Sequence, residues 1–217
     1  MEDQTPGDEE EKSTLARKGE EALDKLYSTA LHGIPMVSCS VDDLVDDYLS
    51  KHDAIEEAAA ALVRAQVLKC GTSGFLTGIG GLITLPVMVP ANMSSVFYVQ
   101  MRMIAAIAAM GGYDVKSDQV KTLVYVCLTG TSVADLLKEA GIKAGEQVVL
   151  SAIKRIPGAV LTKINQRIGF RFITKFGEKG VVNLGKCVPV VGAVIGGGVD
   201  VVSTRAIGKR AIAEFIS

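Results

Sequence analysis

An all-α fold is predicted by three features of the chain. Apolar residues recur at helical spacing through most of its length, no stretch sustains the period-two alternation of a half-buried strand, and Ser, Asp, Pro and Gly fall where helices would start and stop. Hydrophobic residues make up 48% of the 217, with a mean hydropathy of +0.33. Aromatics are only 5% and tryptophan is absent, so the apolar mass is Ala, Val, Ile, Leu and Gly. That length suits one substantial domain with a real core.

Residues 1–12, MEDQTPGDEEEK, are polar and acidic and are expected to form a disordered tail ahead of a single helical domain over 13–217. They lack the basic and apolar regions of a signal peptide, which points to a cytoplasmic protein. Leu23, Leu26, Tyr27, Ala30 and Leu31 then follow the i, i+3, i+4, i+7, i+8 pattern of an amphipathic helix that stops before Gly33 and Pro35. Ser40 with Asp43 reads as a capping box, and Val41, Leu44, Val45, Tyr48 and Leu49 give the short helix that follows an apolar side. Asp53 with Glu56 offers a second start, leading into an Ala-rich helix through Leu68.

From Cys70 to Met101 there are thirty-two residues without a charge. About 20 apolar helical residues cross a bilayer core, so this stretch could span a membrane, fold back within it, or form the buried centre of a helical domain. Pro86 and Pro90 each remove a backbone donor and disfavour helix before them, which divides the stretch into a Gly-rich helix over about 71–83 and a second over 91–110, closed by Gly111 and Gly112. Helices are expected over 116–129, 132–140 and 144–155, with Pro157 opening another. A last long helix runs from near Pro189 to Phe215. Gly74 and Gly78 are four apart, as are Gly192 and Gly196, so each pair opens one helix face to close approach. The expected architecture is a compact helical domain in which the apolar Gly-rich hairpin packs against the long C-terminal Gly-rich helix.

Two blocks of this sequence carry a family resemblance. GTSGFLTGIGGLITLPVMVPANMSSVFYVQMRMIAAIAAMGGYD at 71–114 resembles the signature block of the EcsC family, bacterial proteins first recognised beside a transporter gene cluster. INQRIGFRFITKFGEKG at 164–180 and VPVVGAVIGGGVDVVSTRAIGKRAIAEF at 188–215 resemble that family's C-terminal pattern in order and spacing. The resemblance covers about residues 50–217, and Asp200 stands where the family pattern has an uncharged Asn. It implies a helical protein linked to membranes or secretion, with no established catalytic activity.

The residues themselves bring no catalytic constellation into view. There is no H-E-x-x-H, no G-x-S-x-G and no G-x-x-x-x-G-K-[ST], and Lys69 precedes the glycine run rather than closing it as a phosphate loop requires. His32 and His52 sit in turn-like or charged surroundings. Asp42, Asp43, Asp46 and Asp47 read as a solvated helix face, and no metal or cofactor is expected. Cys39, Cys70, Cys127 and Cys187 are too scattered for a metal or redox motif and read as buried reduced thiols.

Charge is distributed unevenly under a net of -1. Residues 1–57 hold 16 acids and 5 bases, whereas residues 151–217 hold 11 bases and 3 acids. Arg102, alone among the charges between Cys70 and Tyr113, needs a partner if buried; Asp200 and Asp114 are the candidates for a structural ion pair. Lys163, Arg167, Arg171, Lys175 and Lys179 recur every four residues beside Val160, Ile164, Ile168, Phe172 and Phe176, with Gly169 and Gly177 as potential breaks. Such a basic amphipathic segment suits anionic lipid headgroups; docking against the acidic first 57 residues is the alternative. Near-neutral net charge and few aromatics argue against nucleic acid. The expected function is therefore a non-enzymatic, membrane-associated protein of the cytosolic face, peripheral to the plasma membrane and linked to transport or secretion. The rivals are a soluble module that binds a protein partner, and an enzyme using a cleft of Asn165, Thr84, Arg102 and Asp114.

Overall fold

A computed structural model of the chain describes residues 6–71, 91–129, 157–176 and 195–216. Among the described residues there are seven α-helices and no strand, with one isolated bridge between Ile34 and Ser38. The fold is all-α.

The first helix, α1 (Pro6–His32), starts earlier than the sequence suggests, so residues 6–12 are helical rather than tail. Proline fits a first turn, where its missing N–H would have no partner, and Glu9, Glu10 and Glu11 put negative charge near the positive end of the helix dipole. Leu23, Leu26, Tyr27 and Ala30 are buried, as their spacing predicts. The helix stops at Gly33, whose φ of 79° is left-handed and whose N–H bonds to Thr29 O at 2.9 Å. A side chain there would also collide with the carbonyls of Ser38 and Cys39.

Helix α2 (Val41–Leu49) opens on the predicted capping box: Asp43 N donates to Ser40 Oγ at 3.1 Å and Ser40 N to Asp43 Oδ2 at 3.3 Å. Ser40 Oγ also donates to Asp43 Oδ2 at 2.6 Å, and this bond, then the one from Ser40 N, holds the Asp43 carboxyl below its ordinary range, with a smaller contribution from Arg102. Cys39 lies in the connection between α1 and α2 rather than on a helix and is exposed, which overturns the expectation of a buried thiol there. Helix α3 (Ile55–Gly71) starts one residue later than expected. Its first bond runs from Ala58 N to Ala54 O, so Ala54 rather than Asp53 opens it.

Helix α4 (Ala91–Met110) is the second arm of the predicted hairpin and the centre of the molecule. Every residue from Ser95 to Ala108 is buried, and α4 packs against α1, α2 and α3 on the way. A helix apolar on all sides can be stable in water only if other helices surround it. Helices α5 (Asp118–Thr129), α6 (Gly158–Phe176, directly after Pro157) and α7 (Ile195–Phe215) complete that enclosure, α5 and α7 touching α4 and α6 touching α1 and α5. Gly208 on α7 lets that helix close on its neighbours: a Cβ there would lie 2.7 Å from Val63 Cγ1 and 3.2 Å from Met103 Sδ. The expected helices over 71–83, 132–140 and 144–155 lie outside the described residues, apart from Gly71 itself. Gly74, Gly78 and Gly192 also lie outside them; Gly196 falls in the first turn of α7.

Candidate functional site

The basic side of α6 is built by a helix that commits its other side to the core. Leu161, Ile164, Ile168 and Phe172 are buried, and Phe172 packs its ring 4.9 Å from that of Phe97 on α4. Lys163, Arg167 and Arg171 are exposed. Four-residue spacing advances about 40° per step round a helix, so the three side chains form one slowly winding row. Lys175 is in the last turn of α6, but its side chain and the whole of Lys179 lie outside the described residues.

Gly169 does not break the helix. It is the point where α1 crosses α6, backbone against backbone, with Gly19 opposite: a Cβ on Gly169 would lie 2.5 Å from Glu20 N and 2.8 Å from Gly19 C. This crossing fixes how α6 presents its basic row, and the sequence reading missed Gly19. Its only signal was a glycine inside a strongly periodic helix.

Beside the crossing, polar groups tie α1, α5 and α6 together. Tyr125 OH donates to Asp24 Oδ1 at 2.6 Å, and Lys121 Nζ sits 3.2 Å from both Asp24 and Asp118. Thr122 Oγ1 donates to the buried Asn165 Oδ1 at 2.9 Å. Burial, then the neighbouring Asp24 carboxylate, push the Glu20 carboxyl above its ordinary value. Burial and the same carboxylate also raise the Tyr125 phenol.

Arg102 is buried, at 5% exposure, and its partners among the described residues do not include Asp114. Its guanidinium donates to Ala30 O at 3.3 Å, Ser40 O at 3.1 Å and Cys39 Sγ at 3.2 Å. The reason lies at the end of α1, where the last carbonyls lack helical partners and carry the negative end of the dipole. Ile34 N turns to Ser38 instead, which leaves Ala30 O for Arg102. Asp114 is exposed beyond the end of α4, and its carboxylate accepts from Lys116 N at 2.9 Å. The Arg102–Asp114 pair is therefore corrected to an arginine bound by main-chain carbonyls; the side chain of Asp200 lies outside the described residues. Asn165, Arg102 and Asp114 are held by separate partners, and Thr84 lies outside the described residues.

A third polar cluster joins α3, α4 and α7. Gln100 Nε2 donates to Thr204 Oγ1 at 2.9 Å and to Ser203 Oγ at 3.3 Å, and Thr204 Oγ1 donates to Cys70 Sγ at 3.5 Å. All of these groups except Ser203 are buried.

The EcsC protein family matches residues 15–215, a span that takes in every described helix except the first nine residues of α1. The chain belongs to the EcsC family. That match reaches back through α2 and most of α1, well ahead of the two blocks that carry the resemblance in sequence. Placing α1 inside the EcsC domain agrees with its crossing of α6 and its carbonyl bond to Arg102. Neither the curated proteins nor the solved structures compared with this EcsC chain gave a match. Among its described residues no helix is long and apolar enough to cross a membrane.

Proposed function

We propose that this EcsC protein is a non-enzymatic, peripheral protein of the cytosolic membrane face that binds anionic lipid through the basic side of α6, in a role tied to transport or secretion. The observation that carries the reading is the exposure of Lys163, Arg167 and Arg171 on a helix whose apolar residues are taken up by the core. A cation near an anionic bilayer surface contributes about 1 kcal/mol, so three contribute about 3 kcal/mol, roughly a hundredfold in partitioning. Screening by salt weakens that attraction. Flotation with anionic and with neutral vesicles tests it. The protein should float with anionic vesicles, and the triple change Lys163→Glu, Arg167→Glu, Arg171→Glu should abolish this; an unbound wild-type protein ends the proposal.

The second reading, a soluble helical module for a protein partner, draws on the way α3, α4 and α7 close on one another through Gly208 and Thr204. It predicts a monodisperse protein that ignores vesicles of either kind.

A further inference from the structure

Ala59, Leu62, Val63, Gln66 and Cys70 follow the i, i+3, i+4, i+7, i+11 spacing of one face of α3, and every one of them is buried. Gln66 is the misfit on that face. At 2% exposure it takes an amide with two N–H donors out of water, and leaving a buried donor without an acceptor costs more than an ordinary hydrogen bond contributes. Among the described residues nothing accepts from Gln66 Nε2, and no other buried side-chain nitrogen or oxygen there lacks a partner.

The packing of α3 on α4 and α7 fixes where that amide lies. Val63 and Met103 both meet Gly208, while Cys70 and Gln100 both meet Thr204, so α3 runs antiparallel to the other two and the contacts define two successive layers of the core. The first is apolar and the second polar. Gln66 comes three residues after Val63 and four before Cys70, which puts it between them. In the polar layer Gln100 Nε2 donates to Thr204 Oγ1 at 2.9 Å and to Ser203 Oγ at 3.3 Å, and Thr204 Oγ1 donates to Cys70 Sγ at 3.5 Å.

Thr204 Oγ1 has capacity left. A hydroxyl carries one hydrogen and two lone pairs; this hydrogen goes to Cys70 and one lone pair takes the Gln100 amide, so one lone pair remains. Cys70, which touches that oxygen, is one turn of α3 beyond Gln66, a rise of about 6 Å. Two hydrogen bonds of about 2.8 Å laid end to end cover nearly the same span. The molecule that fits between must accept from an amide and donate to a hydroxyl. A cation does not, because the amide presents its hydrogens. An anion cannot donate, and it would bury a charge beside Gln66, Gln100, Ser203 and Thr204, all of them uncharged.

We infer that one water molecule is enclosed between α3, α4 and α7, accepting from Gln66 Nε2 and donating to Thr204 Oγ1. These two bonds meet the minimum that buried waters make, and they complete the hydrogen bonding of the Thr204 hydroxyl. Gln66 then joins Gln100 and Cys70 through that one oxygen, and the site owes nothing to lipid binding. A crystal structure of the full chain should show an ordered water oxygen within hydrogen-bond distance of both atoms. In solution, the Gln66 side-chain amide protons should give water cross-peaks of opposite sign in NOE and ROE spectra, as a long-held water does; Gln66→Met assigns those protons by removing them. Thr204→Ser keeps the hydroxyl and should keep the water, whereas Thr204→Val should lose it. A protein acceptor on Gln66 Nε2, or amide protons without a water cross-peak in the folded wild-type protein, overturns the inference. So does a water that persists unchanged in Thr204→Val. Should that variant fail to fold, the wild-type and Thr204→Ser spectra decide the matter alone.

Discussion

Replacing Gly19 with Ala places a methyl group into the tightest helix crossing described in the molecule. The new Cβ would lie 2.8 Å from Gly169 Cα and closer still to the Gly169 carbonyl, against an ordinary contact of about 3.5–4 Å between carbons. Every obstructing atom is main chain, so no rotamer change relieves it, and α1 has to move off α6 by about 1 Å. Overpacking a tight site costs about 1–3 kcal/mol, and the rigid neighbours put this case near 3. Alanine returns about 1 kcal/mol through helix propensity, which leaves a net loss of about 2 kcal/mol. Urea unfolding followed by circular dichroism should show the lower midpoint, and the thermal midpoint should fall by about 4–8 °C. Gly158→Ala is the matched control, because nothing lies within 4 Å of a Cβ there, and it should gain up to about 0.5 kcal/mol. A Gly19→Ala protein as stable as wild type would refute the backbone contact between α1 and α6.

Arg102→Met should cost about 2–4 kcal/mol in unfolding experiments, since it removes three hydrogen bonds and leaves Ala30 O buried without its donor. Adding Asp114→Ala should be additive within about 0.5 kcal/mol, and a larger coupling would restore the discarded ion pair. Glu20 has a folded pKa raised above the usual 4.5, so the folded state holds its proton more tightly and Glu20 lowers stability as pH climbs through that window. Glu20→Gln should therefore be more stable than wild type at neutral pH, with the gap closing below about pH 4.5; a gap that widens in acid contradicts the sign. In the native protein a maleimide should label Cys39, which is exposed, well before Cys70 and Cys127, which are buried. Burial pushes the Cys127 thiol up to about 12, and peptide mapping that finds Cys127 labelled as fast as Cys39 would contradict its placement.

The helices were legible wherever side chains alone decide them. Leu23, Leu26, Tyr27 and Ala30 repeat with the period of a helix and are buried together, and Ser40 with Asp43 announces a cap through two side chains in the sequence. The basic row of α6 was legible for the same reason, although the sequence left open whether Gly169 would interrupt it. Contacts made by the main chain were not. Arg102 plainly needed a partner, but an unpaired carbonyl at the end of α1 has no letter of its own, whereas Asp114 and Asp200 do. The use of Gly19 was not legible, because it depends on a second glycine 150 residues away meeting it at one crossing. The start of α1 was misplaced because acids and a proline suit a solvated tail and a helix N-terminus equally well.

The bonds from Gln100 to Thr204 and on to Cys70 bear on how uniquely α7 can sit. Gly208 already holds α7 at one point, because it meets Val63 and Met103 where there is no room for a Cβ. Sliding α7 along its axis by one turn would bring Gly208 level with Gln100, and glycine has no side chain to accept the amide. The buried amide would then lose its acceptor, at a cost of about 1–3 kcal/mol. The Gln100 bonds and the close approach at Gly208 thus set the axial register of α7 together, since the same slide would carry Ile212 to the place where Gly208 meets Val63. The contribution of the amide is to penalise any other arrangement through its own lost bonds, a role that a better-packed leucine does not fill.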